Sequence, residues 1–312
     1  MMPFSTISGE SCGWEDALFT VTSASCVTGL VVQDTAEYWS PFGQVIILLC
    51  IQIGGLGVMM TTAALLLTTR RKITVSERML IGQSISIDEI SGVVRLARGV
   101  LIGTMAIEGV GAVILTLRFS RQFPFWDSLW KGIFHSVSAF CNAGFDLMGN
   151  NYEGLSSYVG DFTVSMTIAF LIIIGGLGFY VWNDVRAYKT KKKLSIHTKI
   201  VLFTTAALLV FGTIGFMVLE WNNPATIGNE GFGSKLIASF FQSTTTRTAG
   251  FDQMIQANMT PGSQALSCLL MFVGGSPGST AGGIKTTTLI VILFTAISAM
   301  RGKSSTVVLQ RT

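Results

Sequence analysis

Long apolar runs alternate with short amphipathic stretches along the 312-residue chain. Runs of about 20 apolar residues can cross a bilayer as helices, and such runs occur at 42–69, 99–117, 161–182 and 199–220. A fifth run is interrupted, with apolar halves at 263–275 and 289–300. Three further stretches, at 14–25, 126–140 and 232–243, are too short to cross and end in small residues and a glycine. The pattern predicts an all-α integral membrane protein.

Composition and charge support this class. Only 12% of the residues are charged and the mean hydropathy is +0.57, whereas soluble chains carry about 25% charged residues. Fifteen of the 21 basic residues fall in the segments 70–98, 183–199 and 301–311. The positive-inside rule therefore predicts that these segments are cytoplasmic, in a multi-pass protein whose short stretches enter from outside. The net charge of +4 is too small to indicate a nucleic-acid partner.

The cysteines and histidines indicate no metal or cofactor site. The five cysteines are widely spaced and form no CxxC motif, and there are only two histidines, His135 and His197. No nucleophile, base and acid stand in a catalytic pattern, so we expect neither an enzyme nor a bound cofactor. His135 aligns with Thr20 and Phe241 in the repeat described next, which favours packing over catalysis.

One pattern recurs three times. Without gaps, the copies are "ALFTVTSASCVTGL" (17–30), "GIFHSVSAFCNAGF" (132–145) and "ASFFQSTTTRTAGF" (238–251). Each has an aromatic residue ten positions before a glycine and a hydroxyl residue six positions before it; the glycines are Gly29, Gly144 and Gly250, and the hydroxyl residues are Ser23, Ser138 and Thr244. A glycine cluster follows each copy, namely "IGGLG" (53–57), "IGGLG" (174–178) and "VGGSPG" (273–278). The repeating unit is therefore span, short re-entrant helix, glycine turn and span.

Such a turn suits ion conduction. Irregular backbone is tolerated at membrane depth only where it is buried in protein or lines a water-filled path. A ring of such turns presents carbonyl oxygens that replace the hydration shell of a monovalent cation. Small-residue clusters also let membrane helices pack closely, which explains the "GGLG" clusters but not three turns in register.

These repeated stretches resemble the Trk/Ktr/HKT family of potassium transporters, most closely the KtrB-type membrane subunit of bacterial Ktr systems. The matching segments include "SASCVTGLVVQDT", "IFHSVSAFCNAGFDL", "ASFFQSTTTRTAGFD" and "MFVGGSPGSTAGGIKTTT". The resemblance implies four span–pore helix–span units of the potassium-channel type around one pore in a bacterial cell (inner) membrane. It implies uptake of K⁺, often with dependence on Na⁺. It also implies a homodimer on a cytosolic, nucleotide-binding regulatory subunit of the KtrA/TrkA type.

The resemblance also assigns residues. The filter positions are Val27, Thr28, Gly29, Asn142, Ala143, Gly144, Thr248, Ala249 and Gly250. An intramembrane loop that breaks the second span of the third unit acts as a gate, and it corresponds here to Gly274, Gly275, Ser276, Pro277, Gly278, Ser279, Thr280, Ala281, Gly282, Gly283 and Lys285. We expect the first two units to keep a continuous helix where the third is broken. In plant relatives a serine in the first filter strand accompanies sodium preference, whereas this chain has glycine in all three.

The chain departs from the family pattern at both ends. We expect a first repeat at 1–93 without its first span, a second at 94–195, and a third at 196–312 with the broken span. The fourth repeat of the family is not visible. An isolated chain with one unfilled quadrant is not expected to form an intact selective pore.

A few charged residues have two interpretations. Glu108 lies within a span, where charges are costly, and we favour a structural carboxylate paired with arginine or backbone. Arg247 beside the third filter strand either acts on charge near the pore or braces the filter. Asp34, Asp146 and Asp252 follow the filter glycines and either concentrate cations or are solvated loop charges. Lys285 is expected to contact the loop threonines or a carboxylate.

Two other functions compete with an ion pore. A secondary transporter with broken helices and a central solute site explains the interrupted span but not three turns of like orientation. A nucleotide-hydrolysing enzyme would need G-x-x-x-x-G-K-[ST] between a strand and a helix. Here Ile284 separates Gly283 from Lys285, and an apolar span precedes the loop.

Overall fold

The computed structural model describes residues 3–57, 93–149 and 154–301. Within these ranges the protein is helical, with two isolated β-bridges and no longer strand. The helices are α1 (Trp14–Ser25), α2 (Pro41–Leu56), α3 (Val93–Phe119), α4 (Phe125–Phe140), α5 (Phe162–Leu177), α6 (Phe179–Lys191), α7 (Ile196–Leu219), α8 (Phe232–Thr245), α9 (Pro261–Phe272) and α10 (Thr286–Met300). Short 3₁₀ turns lie at Pro3–Ser5, Gly154–Tyr158 and Gln256–Asn258. The predicted helical class is confirmed.

The helix lengths separate spanning from re-entrant elements. Ala97–Phe119 and Ile196–Leu219 are each long and apolar enough to cross a membrane. The short helices α1, α4 and α8 coincide closely with the three stretches predicted to be re-entrant. The second part of the predicted run 42–69, from residue 58 onward, lies outside the described residues.

Local signals set where several spans begin. Ser40, Asp161, Ser195 and Thr260 each precede a helix and accept a hydrogen bond from the backbone N–H three residues later. This N-cap satisfies one of the amide donors that a helix start leaves free. Proline also occupies the first turn of α2 and α9, where its missing N–H costs nothing.

The second unit forms the centre of the described structure. Its re-entrant helix α4 packs against α3 and α5, and against α2 of the first unit. The aromatic residues Phe119, Phe134, Phe140 and Phe145 are all buried there. The third re-entrant helix, α8, packs against α7 and against α5 of the second unit. Two units are therefore joined to the middle one through its re-entrant helix and its second span.

The expected continuous helix over 161–182 is wrong. The chain turns by 93° between Phe162–Leu177 and Phe179–Thr190, at Gly178, whose φ is +89°. An added Cβ at Gly178 would lie 2.7 Å from the carbonyl oxygen of Pro277. The break therefore needs glycine for its backbone angle and for the close approach of the loop that follows α9. α2 ends in the same way, before Gly57 with φ +79°.

Candidate ion filter and gate

The three predicted filter strands share an unusual backbone. Gly29, Gly144 and Gly250 have φ of +77°, +73° and +84°. The residue two positions earlier is also left-handed in every copy, with φ of +55° at Val27, +58° at Asn142 and +75° at Thr248. The residue between them is not left-handed, so left-handed and ordinary conformations alternate. Such alternation turns successive carbonyls toward one side of the strand, as a cation filter requires.

The left-handed residues other than glycine were not foreseen from the sequence. Left-handed backbone costs L-residues roughly 1–2 kcal/mol, and it is rarest for β-branched side chains such as those of Val27 and Thr248. The three cases occupy equivalent positions of the repeat. Recurrent strain at one position indicates a functional backbone rather than a local accident. The repeat alignment contained the signal, since these residues stand in register, but their conformation had no counterpart in composition or periodicity.

The filter strands lie side by side in repeat order. A Cβ added to Gly29 would lie 2.5 Å from the carbonyl oxygen of Ala143, and one added to Gly144 would lie 2.4 Å from that of Ala249. Among the described residues, a Cβ on Gly250 would meet only the Cα of Gly144, at 3.8 Å. The structure thus brings the three predicted strands together as an arc. Its middle strand is covered on both sides.

Hydrogen bonds from each re-entrant helix hold the turns. The backbone N–H of Thr28 donates to the Ser23 carbonyl, and that of Ala143 donates to the Ser138 carbonyl, both at 2.8 Å. The Ser138 hydroxyl also donates to the carbonyl of Phe145 at 2.7 Å, which clamps the outer end of the second turn. In the second unit the repeated hydroxyl residue is therefore part of the turn.

The third unit is offset by one residue. The hydroxyl that clamps its turn belongs to Thr245, which donates to the carbonyl of Phe251 at 2.7 Å. Thr244, the residue aligned with Ser138, instead donates to Phe240 within the helix. The helix ends differ as well, since α8 ends five residues before its filter glycine and α4 ends four residues before.

The "GGLG" clusters seat the second spans against the re-entrant helices. A Cβ on Gly54 would lie 2.0 Å from the carbonyl oxygen of Ser25, the last residue of α1. A Cβ on Gly175 would lie 2.0 Å from the carbonyl oxygen of Phe140, the last residue of α4. These contacts are equivalent in the two repeats. Close helix packing therefore explains the first glycine of each cluster, as expected for small residues in membranes.

The predicted gate loop folds back on itself between α9 and α10. The N–H of Gly274 donates to the Ile284 carbonyl at 3.1 Å, and that of Gly275 donates to the Gly282 carbonyl at 3.2 Å. A Cβ on Gly274 would lie 1.8 Å from the oxygen of Gly282. The paired glycines thus let the two arms of the loop touch. The loop leads from one helix to another, whereas a phosphate-binding loop follows a strand.

The loop docks on the break in the second unit. The N–H of Ser276 donates to the Gly176 carbonyl at 3.0 Å, and its hydroxyl donates to the Leu177 carbonyl. In return, the N–H of Phe179 donates to the Gly278 carbonyl at 2.9 Å. The end of α5 has free carbonyls and the start of α6 has free N–H groups. The loop satisfies both, so the 93° break is a platform for it.

Thr280 connects the loop to the filter. Its hydroxyl donates to the carbonyl of Phe140 at 3.0 Å and accepts a hydrogen bond from the side-chain amide of Asn142 at 3.3 Å. Asn142 is one of the left-handed residues of the predicted filter. The loop therefore rests at the inner end of α4, beneath the second filter strand.

The two basic residues of this region contact backbone. Arg247 is 8% exposed, and its guanidinium donates to the carbonyl of Gly274 at 3.2 Å. Lys285 donates from Nζ to the carbonyl of Ala281 at 2.8 Å. Arg247 therefore joins the third filter turn to the start of the gate loop, in the bracing role. The expectation that Lys285 contacts a threonine or a carboxylate is wrong for the described residues, because its ammonium group donates to a backbone carbonyl and closes a turn within the loop.

The Glu108 carboxylate is buried, with an amide as its partner. Its oxygens accept hydrogen bonds of 3.2 and 3.4 Å from the side chain of Gln52 on α2. The expected arginine or backbone partner of this carboxylate is therefore wrong within the described residues. Its structural position agrees with the preferred interpretation, because it joins a span of the second unit to one of the first. His135 is also buried, and it accepts a hydrogen bond from the N–H of Leu147 at 3.4 Å.

The acidic residues beyond the filter organise its outer rim. Asp34 accepts hydrogen bonds from the N–H groups of Ala36 and Glu37, and Asp146 accepts one from the N–H of Met148. Burial, together with the charge of Asp34, raises the pKa of Asp146 above its ordinary value, against the opposing effect of the Met148 N–H. These carboxylates therefore shape turns while placing negative charge at the rim.

Known proteins resemble this chain over nearly its whole length. It is 42% identical over 311 residues to the Ktr system potassium uptake protein B of Bacillus subtilis and covers 69% of that protein. It is 41% identical over 303 residues to the potassium/sodium uptake protein NtpJ of Enterococcus hirae and covers 66% of it. The chain thus spans about two thirds of the length of these relatives.

The fold also matches a solved structure. The potassium transporter TrkH from Vibrio parahaemolyticus superposes with a TM-score of 0.70 at 17% identity, over 93% of this chain and 56% of that one. At this identity the likeness concerns the fold alone. The family model described as TrkH, cation transport protein, matches residues 3–311. On that match, the chain belongs to the TrkH family of cation transport proteins.

Proposed function

We propose that this chain contributes three quadrants of a pore for potassium uptake across a bacterial cell membrane. The observation that carries the proposal is the threefold recurrence of a left-handed residue at the glycine and two positions before it. Three adjacent strands with this backbone supply carbonyl rings suited to a dehydrated monovalent cation. The names of the relatives, a Ktr potassium uptake protein and a potassium/sodium uptake protein, point to the same ion.

In this proposal the filter residues of each strand are the triplets that end in Gly29, Gly144 and Gly250, and the loop from Gly274 to Gly283 with Lys285 is the gate. The repeats divide at 93/94 and 195/196. A fourth strand would close the side of Gly250, where an added Cβ meets no carbonyl of the described residues. The basic segments face the cytoplasm, in keeping with the positive-inside rule.

The finer properties follow from the family resemblance. We infer a homodimer regulated by a cytosolic nucleotide-binding subunit of the KtrA/TrkA type, with transport dependent on Na⁺. Each has its own measurement: the mass of the detergent-solubilised complex, co-purification with the regulatory subunit, and K⁺ flux with and without Na⁺. A negative result for the homodimer, the regulatory subunit or the Na⁺ dependence would not contradict the proposed pore.

The pore itself is tested by flux in proteoliposomes. The complete protein, with a fourth quadrant closing the ring, should carry K⁺ or Rb⁺ down an imposed gradient, in preference to Na⁺. Gly144→Ser should abolish this preference or the flux, because the added side chain would collide with the Ala249 carbonyl and because the φ of +73° at this position is unfavourable for serine. Gly109→Ser, in the middle of α3, is the matched control and should keep both, because no atom of the described residues lies within 4 Å of its added Cβ. Equal flux from the wild type and Gly144→Ser would refute the filter assignment.

A further inference from the structure

A groove runs along the spans of the second unit. Its larger part is a cavity of about 860 Å³ between α3, α5, α6 and α7, lined by residues that include Gly99, Gly103, Leu177, Phe179, Trp182 and Arg186. A second cavity of about 540 Å³ shares Ile107 and Ile174 with it and continues between α3 and α5 toward Phe162. The groove is therefore continuous along this seam.

Its dimensions fit one leaflet of a bilayer. From Gly99 to Ile107 the first cavity follows α3 for about 12 Å at 1.5 Å per residue. Half of a hydrocarbon core is about 15 Å thick. The first cavity lies at the ends of α3 and α7 that the proposed topology places in the cytoplasm, so an acyl chain from the cytoplasmic leaflet would follow it to near the midplane.

The polar end of the groove is basic. Arg186 and Asn183 lie on its wall at the α6 side, and no carboxylate is among the described residues that line it. Lys199 stands on α7 three residues before the lining residue Leu202, hence on the same helix face. Basic pockets between membrane helices on the cytoplasmic side bind anionic lipid headgroups. The remaining wall is apolar, with Val100, Ile107 and Val185 among its residues.

The wall of the groove is the reverse side of the gate platform. Leu177 and Phe179, which line the groove, flank the break at Gly178. The Leu177 carbonyl accepts the hydroxyl of Ser276, and the Phe179 N–H donates to the Gly278 carbonyl. A molecule in the groove therefore contacts the side chains of the two residues whose backbone holds the gate loop.

We propose that a phospholipid with an anionic headgroup binds this groove, with its phosphate at Arg186 and an acyl chain against Trp182, and thereby supports the platform of the gate loop. The site rests on the proposed topology and gate but not on the ion that the filter selects. Its binding is measured without ion flux, so failure of this inference is distinguishable from failure of the proposed pore.

Trp182 supplies the test. The purified protein is placed in phosphatidylcholine vesicles with increasing fractions of brominated phosphatidylglycerol or, in parallel, brominated phosphatidylcholine. The quenching due to Trp182 is the difference between the wild type and Trp182→Phe. We expect it to reach half-maximum at a severalfold lower fraction of the phosphatidylglycerol. Arg186→Gln should weaken this preference about fivefold, since a basic contact near the membrane surface contributes about that factor.

Two variants provide controls. Lys189→Gln removes a cation from the same helix at a residue that does not line the groove, and it should leave the preference unchanged. Gly99→Leu places a larger side chain on the wall of the groove, where no atom of the described residues lies within 4 Å of an added Cβ, and it should reduce Trp182 quenching by both lipids. Both changes are at exposed positions, so folding should be preserved.

The outcomes decide between occupants. Equal quenching by the two lipids would overturn the proposal in favour of ordinary boundary lipid. No Trp182 quenching would mean that protein fills the groove. If millimolar inorganic phosphate displaces the brominated phosphatidylglycerol, the groove is a site for small anions and the lipid proposal is overturned. The gate connection is overturned if binding is specific but K⁺ flux does not change with phosphatidylglycerol content, or changes equally in Arg186→Gln.

Discussion

The hydrogen bonds of Thr280 predict how strongly the gate loop is held beneath the filter. Thr280→Val keeps the shape of the side chain but removes the hydroxyl that donates to Phe140 and accepts from Asn142. Both partners belong to the second unit, and both bonds exist only while the loop occupies this position. The substitution should therefore destabilise the closed arrangement without affecting an open one.

The size of the effect follows from the number of bonds. A protein hydrogen bond contributes about 1 kcal/mol net, so loss of two weakens the closed state by roughly 2 kcal/mol. At 1.4 kcal/mol for each factor of ten, the ratio of open to closed pores rises about 30-fold. If pores are mostly closed at rest, resting K⁺ flux should rise by a similar factor.

The assay is Rb⁺ or K⁺ flux from proteoliposomes at equal protein density. Thr280→Ser retains the hydroxyl and should stay near the wild type. Ser279→Ala loses bonds within the loop only, to Ser276 and Ala281, and should have a much smaller effect. The K⁺/Na⁺ preference should be unchanged in all three. Flux of Thr280→Val equal to or below that of Thr280→Ser would refute a latch at this position.

Three further predictions concern packing and pH. Gly175→Ala should destabilise the fold by the roughly 1–3 kcal/mol typical of overpacking and so lower the melting temperature in detergent, because its Cβ would lie 2.0 Å from the Phe140 oxygen. Gly109→Ala, whose Cβ would have open space among the described residues, should leave the melting temperature unchanged. K⁺ flux should fall as acidification from pH 7 protonates Asp146 and removes its negative charge from the rim. Because the pKa of Asp146 is raised, this fall in flux should begin at a higher pH than for an ordinary aspartate, and Asp146→Asn should lack this part of the pH dependence. For Glu220, burial raises the pKa, but hydrogen bonds from Ser263, Thr226 and Thr260 outweigh this effect and lower the pKa from the ordinary 4.5 to about 2. The stabilisation that the Glu220 carboxylate contributes to the fold is therefore complete above pH 4.5 and is lost as the pH falls through about 2. Thermal melting should show an acid-sensitive component that Glu220→Gln lacks.

The position of Glu220 explains why that carboxylate is worth testing. It follows the last residue of α7 and accepts hydrogen bonds from Asn223, Thr226 and Thr260 at 2.6–2.8 Å. It thus ties the end of α7 to the start of α9 at the outer side. Unchanged acid sensitivity in Glu220→Gln would contradict this role.

The resemblance to Trk/Ktr proteins and the helical membrane class, both inferred from the sequence, are confirmed by the family match and the fold. The match to cation transport proteins also supports a transporter over an enzyme. The identities of the filter and gate residues, the repeat boundaries and the partners remain predictions.

The amino-acid sequence by itself determined the helices, their approximate ends and the threefold repeat. These features depend on periodicity, caps and spacing within a few turns of chain, which a sequence displays directly. The same local information indicated the broken third span, because glycine and proline interrupt its apolar run. It did not indicate the break at Gly178, where the flanking residues are as apolar as those of a continuous helix.

Only the tertiary structure decided how these pieces act together. The backbone groups left free at the Gly178 break form hydrogen bonds with backbone groups of the gate loop, about 100 residues away in the chain. The left-handed Val27, Asn142 and Thr248 are accommodated where three turns from distant parts of the chain lie side by side. The physical reason is common to both: an unfavourable local backbone persists only when contacts between distant segments compensate for its cost, and such contacts exist only in the packed molecule.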